Sequence, residues 1–328
     1  MRRLGRVPAF DGLRAIAVLG VVVGHGWGFD SGYLGVDLFF VLSGFLITTL
    51  LLSEWGRDGA VSFRGFYRRR ACRLLPALVL LLLTLAAFDP GHLRADAVAL
   101  TYTSNFAGIH DPNLMFRAHL THLWSLAEEE QFYLLWPVVL AFVLQRRFRP
   151  SRVVVGLLAA AAVSAAQAAL LAERGASQAR VWFGPDTHAY PLLIGCAAGV
   201  AWTYGLVKVP PRLGVVAFLA AVPAVLAFKA TPGTETRVAP LFALAAATVL
   251  LAVLEGGALA RILSVRPLVA IGAVSYGIYL WHYAMFRFLG LDEGLVATAV
   301  AVPLSYLLVE RPFLSLKRPP ERLDLATA

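Results

Sequence analysis

Apolar residues in this chain come in blocks rather than in alternation with polar ones. Stretches near residues 10–28, 34–53, 73–88, 130–145, 153–172, 189–205, 213–229, 238–255, 268–286 and 295–313 are dominated by Leu, Val, Ala and Phe. They reach or approach the ~20 residues that carry an α-helix through a bilayer. The pattern predicts an all-α fold: a polytopic transmembrane helical bundle with about ten membrane helices. The first run, Ala15 to Val23, has the look of a secretory signal, but Gly24-His25-Gly26-Trp27 follows it in place of a small-residue cleavage site. It is therefore expected to be a retained first membrane helix.

Charge orients the bundle. With the N-terminus in the cytoplasm, the inside segments are 1–14, 54–73, 146–152, 206–212, 256–267 and 311–328, and they hold 22 of the 29 Lys and Arg residues. That bias matches the positive-inside rule, and an odd number of crossings would put arginine clusters on the wrong side. Both termini are expected in the cytoplasm, with the protein a multi-pass resident of its membrane. Composition agrees: 59% of the 328 residues are hydrophobic and only 15% are charged, well below the roughly 25% charged content of soluble domains. The net charge of +9 comes from arginines clustered in these short segments between apolar blocks, which argues against nucleic-acid binding. Cys72 and Cys196 offer neither a disulfide nor a metal-ligand spacing. Residues 1–328 are read as one membrane domain, with one long outer segment, about Asp89 to Glu129, holding interfacial or re-entrant structure.

Ionisable side chains in such spans are costly and mark function or internal pairing. Asp11-Gly12-Leu13-Arg14 precedes His25 by three helical turns, so Arg14 and His25 share one stripe about 16 Å apart. Arg14 could hold an anionic head and His25 could do proton chemistry deeper in, against the plainer roles of anchoring arginine and packing histidine. Arg68-Arg69-Arg70 and Arg73, in a cytoplasmic loop, could bind phosphates bidentately or simply contact lipid headgroups. In His122-Leu123-Trp124-Ser125-Leu126-Ala127-Glu128-Glu129-Glu130, Glu128 suits a helix start, whereas Glu129 or Glu130 must face inward and could orient a histidine or an acceptor hydroxyl. Asp186, His188, Tyr279, His282 and Glu310 are isolated polar positions; Trp281 and Tyr283 fit an interfacial belt, and Glu310 could pair with Arg311. His119 and His122 with a nearby carboxylate make a poor metal template, and no metal is expected.

In order along the chain stand Phe10-Asp11-Gly12-Leu13-Arg14 with His25, the run from Gly35 through Asp37 to Thr48, and the arginine segment Phe66 to Pro76. After these come Trp124-Ser125-Leu126, the run from Glu129 to Pro137, Ser275-Tyr276-Gly277-Ile278-Tyr279-Leu280-Trp281-His282, and Glu310-Arg311-Pro312-Phe313. Together, nearly end to end, they resemble the acyltransferase-3 family of bacterial integral membrane acyltransferases, many of which O-acylate surface-polysaccharide sugars. The resemblance implies ten membrane helices and an acyl-coenzyme A donor, by default acetyl-coenzyme A, approached from the cytoplasm. Arg14 and His25 match the family's paired arginine and histidine, and Arg69, Arg70 and Arg73 match its cytoplasmic arginine motif. The chain departs from the family at Ala127-Glu128, where a small polar residue and valine are commoner, and at His188, where many members have arginine. Some members carry an extracytoplasmic hydrolase-like domain; since this sequence stops at Ala328, a later step on the outer face would need a partner protein or none.

The expected activity is O-acyl transfer from acyl-coenzyme A to a hydroxyl of a sugar, cell-surface glycan or secreted small molecule. His25 would be general base or transient acyl carrier, Glu129 or Glu130 an orienting carboxylate, and Arg14, Arg69, Arg70 and Arg73 the holders of the donor phosphates. Asp11, Asp37, His122, Trp124, Asp186, His188, Tyr279, His282 and Glu310 are supporting or acceptor-side candidates. The rivals are a transporter or flippase of an acylated glycan or lipid, using the same buried charges as a path, and a non-catalytic scaffold.

Overall fold

The computed structural model describes residues 1–229 and 231–315. Among these there is no strand. The chain runs through α1 (Pro8–Trp27), α2 (Gly32–Asp58), α3 (Phe63–Phe88), α4 (Leu93–Leu100), α5 (Ser104–His110), α6 (Pro112–Arg117), α7 (Leu123–Gln145) and α8 (Pro150–Glu173). It continues as α9 (Gln178–Phe183), α10 (Tyr190–Thr203), α11 (Pro211–Ala227), α12 (Pro232–Val253), α13 (Gly257–Leu263), α14 (Arg266–Ala273), α15 (Ser275–Leu289), α16 (Leu291–Ser305) and α17 (Arg311–Ser315). Each apolar block of the sequence coincides with a helix or a broken helix. Among the described residues six helices are long and apolar enough to cross a membrane by length and composition, or seven if α14 and α15 count as one span, against the ten expected. The expected cytoplasmic C-terminus falls on residues 316–328, outside the described residues.

Local chemistry sets the helix starts. Pro8, Pro150, Pro211 and Pro267 sit in first turns, where a missing N–H costs nothing. The Ser62 hydroxyl accepts from Gly65 N and starts α3 at Phe63, ten residues ahead of the expected span. The arginine segment is consequently helical rather than a loop. α7 likewise begins at Leu123, so Trp124, Ser125 and the three glutamates belong to it. The segment before it, expected on the outer face, folds into a short 3-10 turn and the small helices α4 to α6.

Backbones approach closely where α2 crosses α10. A Cβ on Gly44 would run into the Leu192 carbonyl, and one on Gly195 into the Val41 carbonyl, so both positions need glycine for the backbones to touch. Around that crossing Phe10, Phe45 and Trp202 interlock, with the Phe10 and Phe45 rings edge to face at 5.7 Å. Large apolar side chains instead cover the outside, including Leu83, Leu134, Leu135, Val155, Val163, Leu219 and Leu308. Water would not solvate this surface, whereas lipid would. Two distortions turn polar groups inward. α14 and α15 meet at a 67° bend next to Val274, and a π-helical segment, Tyr306–Glu310, buries Glu310 so that it accepts from Ser305 at 3.1 Å instead of pairing with Arg311.

Gly195→Leu is expected to overpack the α2–α10 crossing and cost about 1–3 kcal/mol. Thermal unfolding of the detergent-solubilised protein reads this, and an unchanged melting temperature would contradict the close-approach account.

Candidate active site

α1, α2, α3, α7 and α15 enclose a funnel of about 440 Å³. Its polar wall is Arg14, Arg70, Arg73, Ser43, Glu129 and Tyr133, and Val36, Phe39 and Leu46 supply apolar wall. Arg70 and Arg73 are three residues apart on α3 and therefore share a face; Arg69, a helical step of about 100° away, points elsewhere. It pairs with Glu54 at 3.6 Å, so this member of the expected phosphate-binding set does not line the funnel. Arg70 donates to Glu130 at 2.6 Å and lies 3.5 Å over the Tyr133 ring. Tyr133 donates its hydroxyl to Glu129 at 2.6 Å, and Ser43 donates to the same carboxylate oxygen. Arg14 is held by Asp11 at 2.6 Å. Arg73 lines the funnel with no ion pair among the described residues. The arrangement presents guanidinium donors to an anionic guest, with its carboxylates already engaged.

Tyr279 closes the funnel's inner end. Its hydroxyl donates to the His122 carbonyl oxygen at 2.8 Å and lies 2.5 Å from Ser125 Oγ. Beyond it lies a cluster of three histidines: the His282 ring is 5.8 Å and the His122 ring 5.6 Å from that of Tyr279. Their hydrogen bonds settle the tautomers of neutral rings. His282 Nδ1 is 2.9 Å from the Ile278 carbonyl oxygen, which can only accept, so Nδ1 carries the hydrogen and Nε2 a lone pair. His25 Nδ1 is 2.9 Å from that Nε2 and must donate, which leaves His25 Nε2 with a free lone pair. By the same logic His122 donates from Nε2 to the Leu280 carbonyl at 3.1 Å, and its Nδ1 has no partner. Tyr283 packs with its ring centroid 4.9 Å from those of both His25 and His122. Trp281, expected in an interfacial belt, is buried inside the bundle, whereas Tyr283 is half-buried against these histidines.

Several sequence expectations meet this geometry differently. Arg14 and His25 do lie on one continuous helix, at opposite ends of the path. Glu129 and Glu130 do not serve His25; they are tied to Ser43, Tyr133 and Arg70 at the arginine end, and the group that orients His25 is His282. Glu128, expected at a helix start, is fully buried instead, 3.6 Å from His188 Nδ1, while His188 Nε2 meets Asp37 at 2.8 Å. Trp124 stacks on Phe183 and flanks His188. Asp186 is exposed and forms a two-pronged pair with Arg180, away from both the funnel and the histidines. Glu310 lies beside Gly277, outside the funnel lining. Sequence reasoning passed over Ser43, Ser125, Tyr133 and Tyr283. The four-residue spacing of Glu129 and Tyr133 was a usable signal for one of them.

The described residues thus form a helical bundle with a guanidinium-lined funnel and, beyond Tyr279, a histidine whose Nε2 keeps a free lone pair. The chain belongs to the family described as acyltransferase domain, whose model matches residues 7–310. It is 36% identical to YrhL of Bacillus subtilis over 93% of this chain and 54% of that protein. Identity to the peptidoglycan O-acetyltransferase OatA of Listeria monocytogenes is 36%, over 84% of this chain and 49% of that one. The O-acetyltransferase OatA of Staphylococcus aureus is 33% identical over 93% of this chain and 57% of its own length. The chain thus spans about half the length of these relatives. No solved structure matches it.

Removing Glu130 by Glu130→Ala leaves Arg70 half-buried and unpaired, and is expected to cost about 1–3 kcal/mol. Arg69→Ala, at a more exposed pair, should cost under about 1 kcal/mol. Melting of the two purified variants compares them; a larger loss for Arg69→Ala would contradict the assigned faces of α3.

Proposed function

We propose that the chain is a membrane-embedded O-acyltransferase that moves an acyl group, by default acetyl, from acyl-coenzyme A to a hydroxyl of a cell-envelope glycan. The names of the relatives favour a peptidoglycan sugar as acceptor. A single observation carries the reading: a guanidinium-lined funnel ends at Tyr279, and next beyond it stands an imidazole pair whose hydrogen bonds leave His25 Nε2 unprotonated and free. In this reading the protein crosses a bacterial cytoplasmic membrane about ten times with its N-terminus inside. The arginine end then opens to the cytoplasm, where coenzyme A is, and His25 lies toward the outer face.

Arg14, Arg70 and Arg73 bind the donor's phosphates. His282 fixes the His25 tautomer, as a carboxylate does in other general-base systems. His25 Nε2 takes the acceptor's hydroxyl proton as that oxygen bonds to the thioester carbonyl carbon. The C–S bond then breaks, and the departing thiolate takes up a proton. Apolar wall around the thioester limits hydrolysis.

The test is transfer of labelled acetyl from acetyl-coenzyme A to a soluble peptidoglycan oligosaccharide by protein reconstituted in liposomes. His25→Ala is expected to lower the rate by about 100-fold or more, and His282→Ala by about tenfold with the donor KM unchanged. Transfer at the wild-type rate by His25→Ala would overturn the assignment.

A further inference from the structure

Tyr33 separates the histidine cluster from a second polar site. Its ring is 6.5 Å from His25 on one side and 3.6 Å from Trp182 on the other. Past Tyr33 is a small chamber lined by Asp37, Trp124, Trp182, His188, Phe228 and Glu235, with about 10 Å³ of space. That volume admits a single water-sized group. His188 is held through Nε2 by Asp37 at 2.8 Å.

Three of the lining groups carry an unsatisfied polar atom: Trp182 Nε1, Glu235 Oε2 and His188 Nδ1, the last 3.6 Å from Glu128. Trp182 Nε1 and Glu235 Oε2 have no hydrogen-bond partner, although their residues are only 3% and 5% exposed. An unmet donor and an unmet acceptor in a bilayer interior are expensive unless something visits them. No group of three or more His, Cys, Asp or Glu among the described residues is placed to hold a metal ion. Besides water, the small group that both accepts from an indole N–H and donates to a carboxylate is a hydroxyl. The aromatic faces of Tyr33, Trp124 and Trp182 around it are the mostly apolar, sparsely polar lining typical of a ligand subsite.

We propose that this chamber is a hydroxyl-recognition subsite for the acceptor sugar. A hydroxyl that is not the reacting one accepts from Trp182 Nε1 and donates to Glu235 Oε2. The sugar ring then lies against Tyr33, and a neighbouring hydroxyl faces His25. The inference rests on the O-acyltransferase reading and deepens it by naming the residues that choose the acceptor. Trp182 and Glu235 are specificity residues here, not catalytic ones.

Trp182→Phe keeps an aromatic ring against Tyr33 and removes the N–H with the rest of the five-membered ring; Glu235→Gln keeps the shape and replaces the carboxylate. With full-length protein in liposomes, acetyl-coenzyme A as donor and a soluble peptidoglycan oligosaccharide as acceptor, each variant is expected to raise the acceptor KM about tenfold, with the donor KM unchanged. Acceptor KM within about twofold of wild type in a wild-type enzyme that does transfer, the result expected if only a trapped water fills the chamber, overturns the subsite and leaves the transferase reading standing. Absence of transfer by wild type overturns both. If Glu235→Gln does not fold, Trp182→Phe decides alone.

Discussion

A polar group inside a bilayer has no water to turn to, and the arrangement of this protein follows from that constraint. Its ionisable side chains are gathered where they can satisfy one another. Arg70, Glu130, Tyr133, Glu129 and Ser43 close one network at the arginine end, and His25, His282 and His122 form a second around backbone carbonyls of α15. Asp37, His188 and Glu128 make a third. Each network joins helices that are far apart in sequence, so the groups that carry the chemistry also fix how the helices meet. The loose ends are as informative as the bonds. Arg73 lines the funnel, Trp182 and Glu235 line the small chamber with Nε1 and Oε2 unpaired, and His25 Nε2 keeps a free lone pair between the two, so that a substrate can complete them.

Helix irregularity does much of the positioning. The 67° bend between α14 and α15 lets Tyr276 and Tyr279 line the funnel while His282, one turn on from Ile278, sits in the histidine cluster. The glycine-mediated contact of α2 with α10 brings the region of Asp37 against His188. A helix of ordinary side chains at that crossing would hold the two backbones apart and open the third network.

The fold was largely legible because its cause, long apolar blocks punctuated by arginine, is written locally. The boundaries that slipped, at Phe63 and Leu123, did so because polar residues continue a helix whose apolar part starts later. Of the site, Arg14, His25, Arg70 and Arg73 were readable from spacing and motif. The partner of His25 was not: His282 is 257 positions away, and no local pattern says which of two histidine nitrogens meets a carbonyl. Glu128 was misjudged for a related reason. Three consecutive carboxylates look alike in sequence, and only the packing of α7 sends one to His188, one to Ser43 and one to Arg70. Glu235 and Trp182 carried no signal, since their meaning lies in partners they lack.

The central claim is directional: the donor enters at the arginine end and the acceptor is acylated at the histidine end. Liposomes in which the protein has one known orientation, with labelled acetyl-coenzyme A sealed on the arginine side and a membrane-impermeant oligosaccharide on the other, test it most directly. The account predicts label on the oligosaccharide with the donor on the arginine side and none with the donor and acceptor exchanged. Label appearing only after the exchange would contradict it.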